Sequence, residues 1–426
     1  MSLKDIGVAP PKGFRDILPQ ETVVRDNLIS TILETYRSFG FERVETPAVE
    51  DVRRLTHSDG GENLSMLFKI LKRGEKLDLS KPGTTEDSIT DLALRYDLTV
   101  PLARFYSNHR TQLPPVFKAI QVGPVFRAER PQHGRFRQFY QFDIDIIGGS
   151  APGDETELLT ASMAAFSKLG VKNGTMRIND RRILSAMVEH AGIPADGAAA
   201  ALVSFDKMDK VGLLGVRDLL VKDGFSEASI NTFIGVAESV EKLPVTARLE
   251  EINRQLGTIL SPDVCSNLAT IIKGVRLSEG NTIAFDPFLV RGMGYYTGPV
   301  FELVVPEFSG SLGGGGRYDK LIGKLSGSEA TACGFSIGFE RMVSLFSERL
   351  LAQASTQRKI AVFYDKDAAV PDVLAATSEL QAQGAVASMF ETPKNLKGAL
   401  DRLKAAGYTE FARFKTGEAL TTKSIG

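Results

Sequence analysis

The sequence is poor in the residues that build covalently or metal-stapled scaffolds. Of 426 residues only two are cysteine, Cys265 and Cys333, far apart and outside any Cys-x-x-Cys pattern, and four are histidine, His57, His109, His133 and His190, scattered along the chain. Such spacing argues against a disulfide framework and against a dedicated protein cluster for a metal. No run of about 18 uncharged apolar residues occurs, and Met1-Ser2-Leu3-Lys4-Asp5 carries no apolar signal core, so the expectation is no membrane span and a cytoplasmic location. An excess of one charge is missing too. Lys and Arg number 51 against 52 Asp and Glu, a net charge of -1, so any nucleic acid would be held by local patches rather than a global field. Internal repeats and low-complexity tracts are absent. The glycine-rich string Gly313-Gly314-Gly315-Gly316-Arg317-Tyr318-Asp319 has neither the Lys-Ser/Thr ending of a Walker loop nor Gly-x-Gly-x-x-Gly spacing, which excludes both phosphate-loop types.

What is present is material for two or three domains, with 43% hydrophobic residues. A Pro/Gly-bounded loop spans residues 11–19. Val24, Leu28, Ile29, Ile32 and Tyr36 then recur at helical spacing over 21–39, ending at Gly40 before a strand over 41–47 stopped by Pro47. Residues 158–169, 196–203 and 247–256 read as helices, and the run 206–210, Asp-Lys-Met-Asp-Lys, as a helix face. Strand signals return at 282–290, 300–305 and 332–337, followed by an apolar helix over 339–346. Past a polar linker at 354–358 the order is strand 360–364, helix 370–383, strand 386–390, helix 396–406 and short strands at 410–414 and 420–425, an α/β module. Its basic residues Lys394, Lys397, Arg402 and Lys404 are offset by acids, a weak footprint for nucleic acid.

The densest chemical signal lies between Arg127 and Asp145. Arg127, Arg130, Arg135 and Arg137 supply planar, permanently charged donors suited to phosphate, and Pro131-Gln132-His133-Gly134 reads as a turn. After the turn, Arg137, Phe139, Gln141, Asp143 and Asp145 fall on one face of a strand at period two, with Gln138, Tyr140, Phe142 and Ile144 on the other. One face is thereby loaded with ligand-type side chains. This hairpin resembles motif 2 of the class II aminoacyl-tRNA synthetases, and of the histidyl enzymes in particular.

Five further segments extend the resemblance. Leu94-Arg95-Tyr96-Asp97-Leu98-Thr99-Val100-Pro101 sets an acid and a hydroxyl two apart, on one face of an expected strand, where they can grip an ammonium. Leu289-Val290-Arg291-Gly292-Met293-Gly294-Tyr295-Tyr296-Thr297-Gly298 puts one Arg at a glycine bend beside paired tyrosines and resembles the histidine-specific signature. It departs from that signature at Met293-Gly294, where the family usually has Leu-Asp and so a carboxylate that would support the bend. In the glycine tetrad, consecutive glycines let a strand backbone approach a flat ligand, with Tyr318 as a wall. Gly334-Phe335-Ser336-Ile337-Gly338-Phe339-Glu340-Arg341-Met342 resembles motif 3, a strand turning into a helix, and the helix-strand unit from 21 to 47 resembles motif 1.

Taken in this order, the resemblance implies an α+β protein: a class II antiparallel sheet flanked by helices, a helical insert, and an anticodon-binding-like α/β domain. The boundaries would be 1–170 and 281–350 for the two halves of the catalytic domain, 171–280 for the insert, and 359–426 for a shortened C-terminal domain. It implies activation of histidine with ATP and transfer to tRNA(His), with Mg²⁺ on the leaving pyrophosphate and a homodimer built on motif 1. Arg127 and Arg291 would act on the α-phosphate. Histidine would be held by Asp97, Leu98, Thr99, Arg127, Gln141, Asp145, Arg291, Tyr295, Tyr296 and Tyr318, with Gln141 and Asp97 on the ammonium and Asp145, Tyr296 and Tyr318 on the imidazole. ATP would be held by Arg127, Glu129, Arg135, Phe139 and Arg341. A second reading shares the fold: a non-aminoacylating, histidine-sensing paralogue such as the regulatory subunit of ATP phosphoribosyltransferase.

Overall fold

The computed structural model describes residues 7–57, 66–130, 136–291, 294–327, 329–354 and 358–425. The chain divides into two compact units, 1–16 with 29–342 and 17–28 with 343–426.

In chain order the strands of the first unit are β1 (Glu42–Arg43), β2 (Val49–Asp51), β3 (Lys69–Leu71), β4 (Thr90–Leu94), β5 (Phe117–Phe126), β6 (Gln138–Ile147), β7 (Thr175–Asp180), β8 (Thr282–Phe285), β9 (Pro299–Val305), β10 (Phe308–Arg317) and β11 (Ala332–Ile337). Eight of them form one sheet in the order β1-β5-β6-β11-β10-β9-β7-β8, and β2-β4-β3 form a small second sheet. The six central strands pair antiparallel, while the edge pairs β1–β5 and β7–β8 are parallel. An α+β architecture with an antiparallel sheet flanked by helices is therefore what the sequence folds into.

The hairpin β5–β6 shows why. Its register runs unbroken from Phe117↔Ile147 to Phe126↔Gln138, and alternation along β6 sends Phe142, Ile144 and Ile146 into the core. Tyr36 meets Phe142 edge-on at 5.9 Å. That packing fixes register, since a one-residue slip would bury Gln141, Asp143 and Asp145 against the apolar layer instead. The expected turn 131–134, and Arg135, lie outside the described residues.

Several local expectations are corrected. Asp97 and Thr99 do not share a strand face: β4 ends at Leu94, and Thr99 opens the helix Thr99–His109. Asp97 accepts the backbone N–H of Val100 at 3.2 Å, and Pro101 falls in the first turn, where a missing N–H costs nothing. The strand expected over 41–47 pairs only at Glu42–Arg43. The one expected over 282–290 stops at Phe285, because the Asp286 carboxylate accepts the N–H of Phe288 at 3.0 Å and turns the chain at Pro287. The helix expected over 339–346 runs Phe339–Ala354.

The range 171–280 is not wholly helical. It contains β7, which pairs with β9 and β8 inside the main sheet, and the helices lie between Arg181–His190 and Asp263–Gly274. β7 ends in Asn179 and Asp180, both fully buried, so its polar residues hid it from a hydrophobic pattern. Asp180 caps the next helix, accepting from the Arg182 N–H at 2.8 Å.

The second unit holds a four-stranded sheet, β12 (Lys359–Tyr364), β13 (Val386–Glu391), β14 (Glu410–Arg413) and β15 (Thr422–Ser424), ordered β13-β12-β14-β15. Its first two pairings are parallel, bridged by the helices Val370–Ala382 and Leu396–Ala405, and β15 adds antiparallel. Ile360, Val362, Val373 and Leu380 form its core.

Candidate active site

The ligand-bearing faces of β6, β10 and β11 open into a cavity of about 550 Å³. Its floor depends on glycine. A Cβ on Gly315 would lie 1.9 Å from the Gly334 carbonyl oxygen, one on Gly334 would lie 2.0 Å from Asp145 Oδ1, and one on Gly314 would lie 2.7 Å from Arg291 Cζ. The glycines thus let a carboxylate and a guanidinium lie across the sheet surface.

The cavity lining is rich in acceptors. Asp143 and Asp145 point in from β6, joined by Gln141 and by Asp97 and Thr99 from the strand-to-helix turn. Tyr318 donates its hydroxyl to Asp145 Oδ1 at 2.5 Å, and Gln141 Nε2 donates to Ser336 Oγ at 3.0 Å. Asp145 Oδ2, Asp143 Oδ1 and Gln141 Oε1 are buried and have no hydrogen-bond partner among the described residues. Burial pushes Asp145 up to about 7; the Tyr318 hydroxyl lowers it in part and the Asp97 charge adds to the rise. Asp143 is held well above the usual carboxylate range by burial and by the Asp145 charge beside it. Tyr295 and Tyr296 meet edge-on at 5.0 Å and Tyr318 meets Tyr295 at 5.9 Å, an aromatic wall whose buried phenols all titrate above their ordinary value.

The lining also carries three guanidiniums. Arg127 donates from Nε to the Tyr96 carbonyl at 3.1 Å and lies over the Phe139 ring at 5.1 Å. Arg341, from the first turn of its helix, donates to Ser311 Oγ at 3.1 Å and to the Ser311 carbonyl. Glu340 accepts the backbone N–H of Tyr140 at 3.1 Å and so ties that helix to β6. Arg291 donates from Nη1 to Glu302 Oε1 at 2.9 Å, and its Nε is buried with no partner among the described residues.

The structure thus brings Asp97, Thr99, Arg127, Glu129, Phe139 and Gln141 to one cavity with Asp145, Arg291, Tyr295, Tyr296, Tyr318 and Arg341. Leu98 is the exception: its side chain is buried away from this cavity, and its carbonyl accepts Gln121 Nε2 at 2.8 Å. Arg135 and Met293 lie outside the described residues, while Gly294 is exposed. Asp143, read from the sequence only as part of the ligand-bearing strand face, also lines the cavity, as do Asp206, Glu302, Ser311, Ser336 and Glu340, to which sequence reasoning gave no role. Glu302 left one trace, a lone charge among the apolar residues of Pro299–Val305. Among the described residues no group of three or more His, Cys, Asp or Glu is placed to hold a metal ion.

The sequence profile of the family described as histidyl-tRNA synthetase matches residues 13–342. The histidine--tRNA ligase of Leifsonia xyli subsp. xyli is 42% identical over 95% of each chain. The crystal structure of histidyl-tRNA synthetase from Nostoc sp. PCC 7120 superposes with a TM-score of 0.77 at 25% identity, covering 99% of this chain and 95% of that one. A Bacillus halodurans C structure, titled an ATP phosphoribosyltransferase regulatory subunit/histidyl-tRNA synthetase, superposes at 0.76 with 19% identity over 96% and 98% of the two chains, a likeness of fold alone. Fold and matched length therefore define an aminoacyl-tRNA synthetase. Given the profile match and the identity to the Leifsonia enzyme, the chain belongs to the histidyl-tRNA synthetase family.

Proposed function

We propose that this chain is a histidine--tRNA ligase that works from the cavity of the first unit. The observation that carries this reading is the joint lining of one cavity: buried acceptor atoms of Asp143, Asp145 and Gln141 that have no hydrogen-bond partner among the described residues, together with the guanidiniums of Arg127, Arg291 and Arg341. An amino acid with an ammonium and a ring N–H suits the acceptors, and a triphosphate suits the guanidiniums.

The carboxylate of histidine attacks the α-phosphorus of ATP, the bond to the β-phosphate oxygen breaks, and histidyl-adenylate and pyrophosphate result. A terminal ribose hydroxyl of tRNA(His) then attacks the acyl carbon and AMP leaves. No protein nucleophile is required. Arg127 and Arg291 stabilise charge building at the α-phosphate, and placement supplies the rest. Phe139 and Arg341 flank the nucleotide, with Glu129 beside it. Asp97, Thr99 and Gln141 hold the ammonium, while Asp145, backed by Tyr318, accepts an imidazole N–H and Tyr295 and Tyr296 close the ring pocket. Mg²⁺ suits a donor set of one carboxylate, Glu129, plus nucleotide phosphates, and when bound it neutralises pyrophosphate charge. The class II assignment, a cytoplasmic two-fold homodimer built on the helix Pro19–Ser38, an insert of helices between β7 and β8, and an anticodon-reading role for 359–426 belong to the same reading.

Histidine-dependent ATP–pyrophosphate exchange with purified protein, followed by charging of tRNA(His), tests it. Exchange and charging together are expected. Histidine binding without exchange would instead favour the sensing paralogue, against which the retention of Arg127, Arg291 and Arg341 argues.

A further inference from the structure

Arg291 does not fix its own position. It follows a short loop whose carbonyls at Pro287 and Leu289 accept Asn179 Nδ2 at 3.2 and 3.0 Å; its guanidinium donates to Glu302 alone among the described residues, with the Asp206 charge also acting on it. Glu302 is in turn shared. It faces Arg177 directly across the β7–β9 pairing, and its Oε2 accepts Arg177 Nη1 at 3.4 Å. Arg177 is gripped from two sides, by Asp286 at the foot of the Arg291 loop and by Asp209, whose two carboxylate oxygens accept Nη1 at 2.7 Å and Nη2 at 3.1 Å. Asp209 sits in the first turn of the helix Met208–Lys222, within the run of helices between β7 and β8. Its side chain is 64% exposed, whereas those of Arg177, Asp286, Glu302 and Arg291 are 15%, 14%, 18% and 25% exposed. A sheltered chain of alternating charge therefore runs from the site to one solvent-facing carboxylate.

We infer that Asp209 is a positioning residue: through Arg177 and Glu302 it sets where the Arg291 guanidinium lies, and so couples the placement of the helical segment to adenylate formation. The physical step is competition for one carboxylate. While Asp209 satisfies the fork of Arg177 bidentately, Glu302 can spend its closer contact on Arg291. With Asp209 neutralised to Asn, one arm of Arg177 loses its acceptor and the other keeps only an uncharged one, so the freed arm turns to Glu302 and draws it away from Arg291. Arg291 then meets the α-phosphate from a displaced position, a cost felt in the transition state more than in ground-state binding.

The inference rests on the ligase reading, and one set of variants separates the two. Asp209→Asn is expected to lower kcat of histidine-dependent pyrophosphate exchange about tenfold, the scale a small misplacement of a reacting group produces, with KM for ATP little changed. Its melting temperature should stay within about 2 °C of the parent, as for other surface changes. Asp209→Glu should restore most of the rate, and Glu251→Gln, which breaks an exposed ion pair with Arg254 on another helix of the segment, should leave it unaltered. In a Glu302→Gln background, already disconnected, Asp209→Asn should cause no further loss. Exchange by Asp209→Asn at the parent rate, or a loss that multiplies fully with that of Glu302→Gln, overturns the coupling. If the parent shows no exchange, the ligase reading fails by itself. Affinity for a non-hydrolysable acyl-adenylate analogue, measured by calorimetry, then decides the coupling: weakening by Asp209→Asn supports it and an unchanged affinity refutes it.

Discussion

Asp145→Asn should make the ligand-free protein more stable at neutral pH while weakening its hold on histidine. Asp145 is 2% exposed and its carboxyl is pushed from 3.8 to about 7, chiefly by burial. That displacement sets a ceiling of roughly 4 kcal/mol on the penalty for ionising it in the folded state. The sign follows from proton binding. Below the unfolded value both states hold the proton and the native carboxyl carries no penalty. As pH rises toward about 7 the unfolded chain releases its proton first, and stability is lost until the folded group also ionises. Asparagine has no proton to lose and keeps an oxygen for the Tyr318 hydroxyl. The stability of Asp145→Asn relative to the parent should therefore climb between about pH 4 and pH 7 and then level off, as read by urea denaturation of both proteins across that range.

The same substitution removes an acceptor. With its oxygen engaged by Tyr318, the new amide would turn N–H groups toward the imidazole N–H and leave both donors unpaired, which costs about 1–3 kcal/mol of histidine affinity. Calorimetry with histidine measures that loss, and discrimination against other amino acids should fall with it. A stability difference that is flat with pH would show that Asp145 ionises normally in the fold. Unaltered histidine binding would show that another residue reads the ring.

Other perturbations probe different parts of the site. Arg127→Ala should slow pyrophosphate exchange by about 3 kcal/mol of activation free energy while changing histidine affinity far less; exchange at the parent rate would remove Arg127 from the phosphate. Gly315→Ala forces a Cβ to 1.9 Å from a backbone oxygen that cannot step aside, so it should destabilise by about 1–3 kcal/mol or more, and an unchanged melting temperature would contradict the close β10–β11 approach. Gly294→Asp, which places a carboxylate three residues after Arg291, should raise the exchange rate several-fold with little effect on melting, whereas abolished binding would mean the glycine is required there. Sedimentation at micromolar concentration should find two chains, and a monomer that still forms adenylate would refute the dimer.

How much of this was legible in the sequence depends on whether a residue's role is set by its neighbours along the chain or across the sheet. β6 was readable because both of its faces obey period two, with Phe142, Ile144 and Ile146 inward and Gln141, Asp143 and Asp145 toward the cavity. Asp97 and Thr99 were readable as residues of the cavity lining but not in their conformation, since an Asp three residues before the amide it accepts competes locally with a strand, and Pro101 tolerates the helix that wins. β7 was invisible: Arg177, Asn179 and Asp180 look like a polar loop until Glu302, the loop carbonyls at Pro287 and Leu289, and the Arg182 amide supply their partners. Those partners lie more than a hundred residues away in all cases but the last, and no local pattern encodes them. The same non-local logic governs Arg291. Its identity as a site residue sits in the string around the paired tyrosines, but the placement of its guanidinium is written at Glu302, which holds it, and at Gly314, whose missing Cβ makes room for it. A sequence motif names the group that does the chemistry; the position that makes the group effective is set by residues on other strands, selected for what they leave open as much as for what they bond.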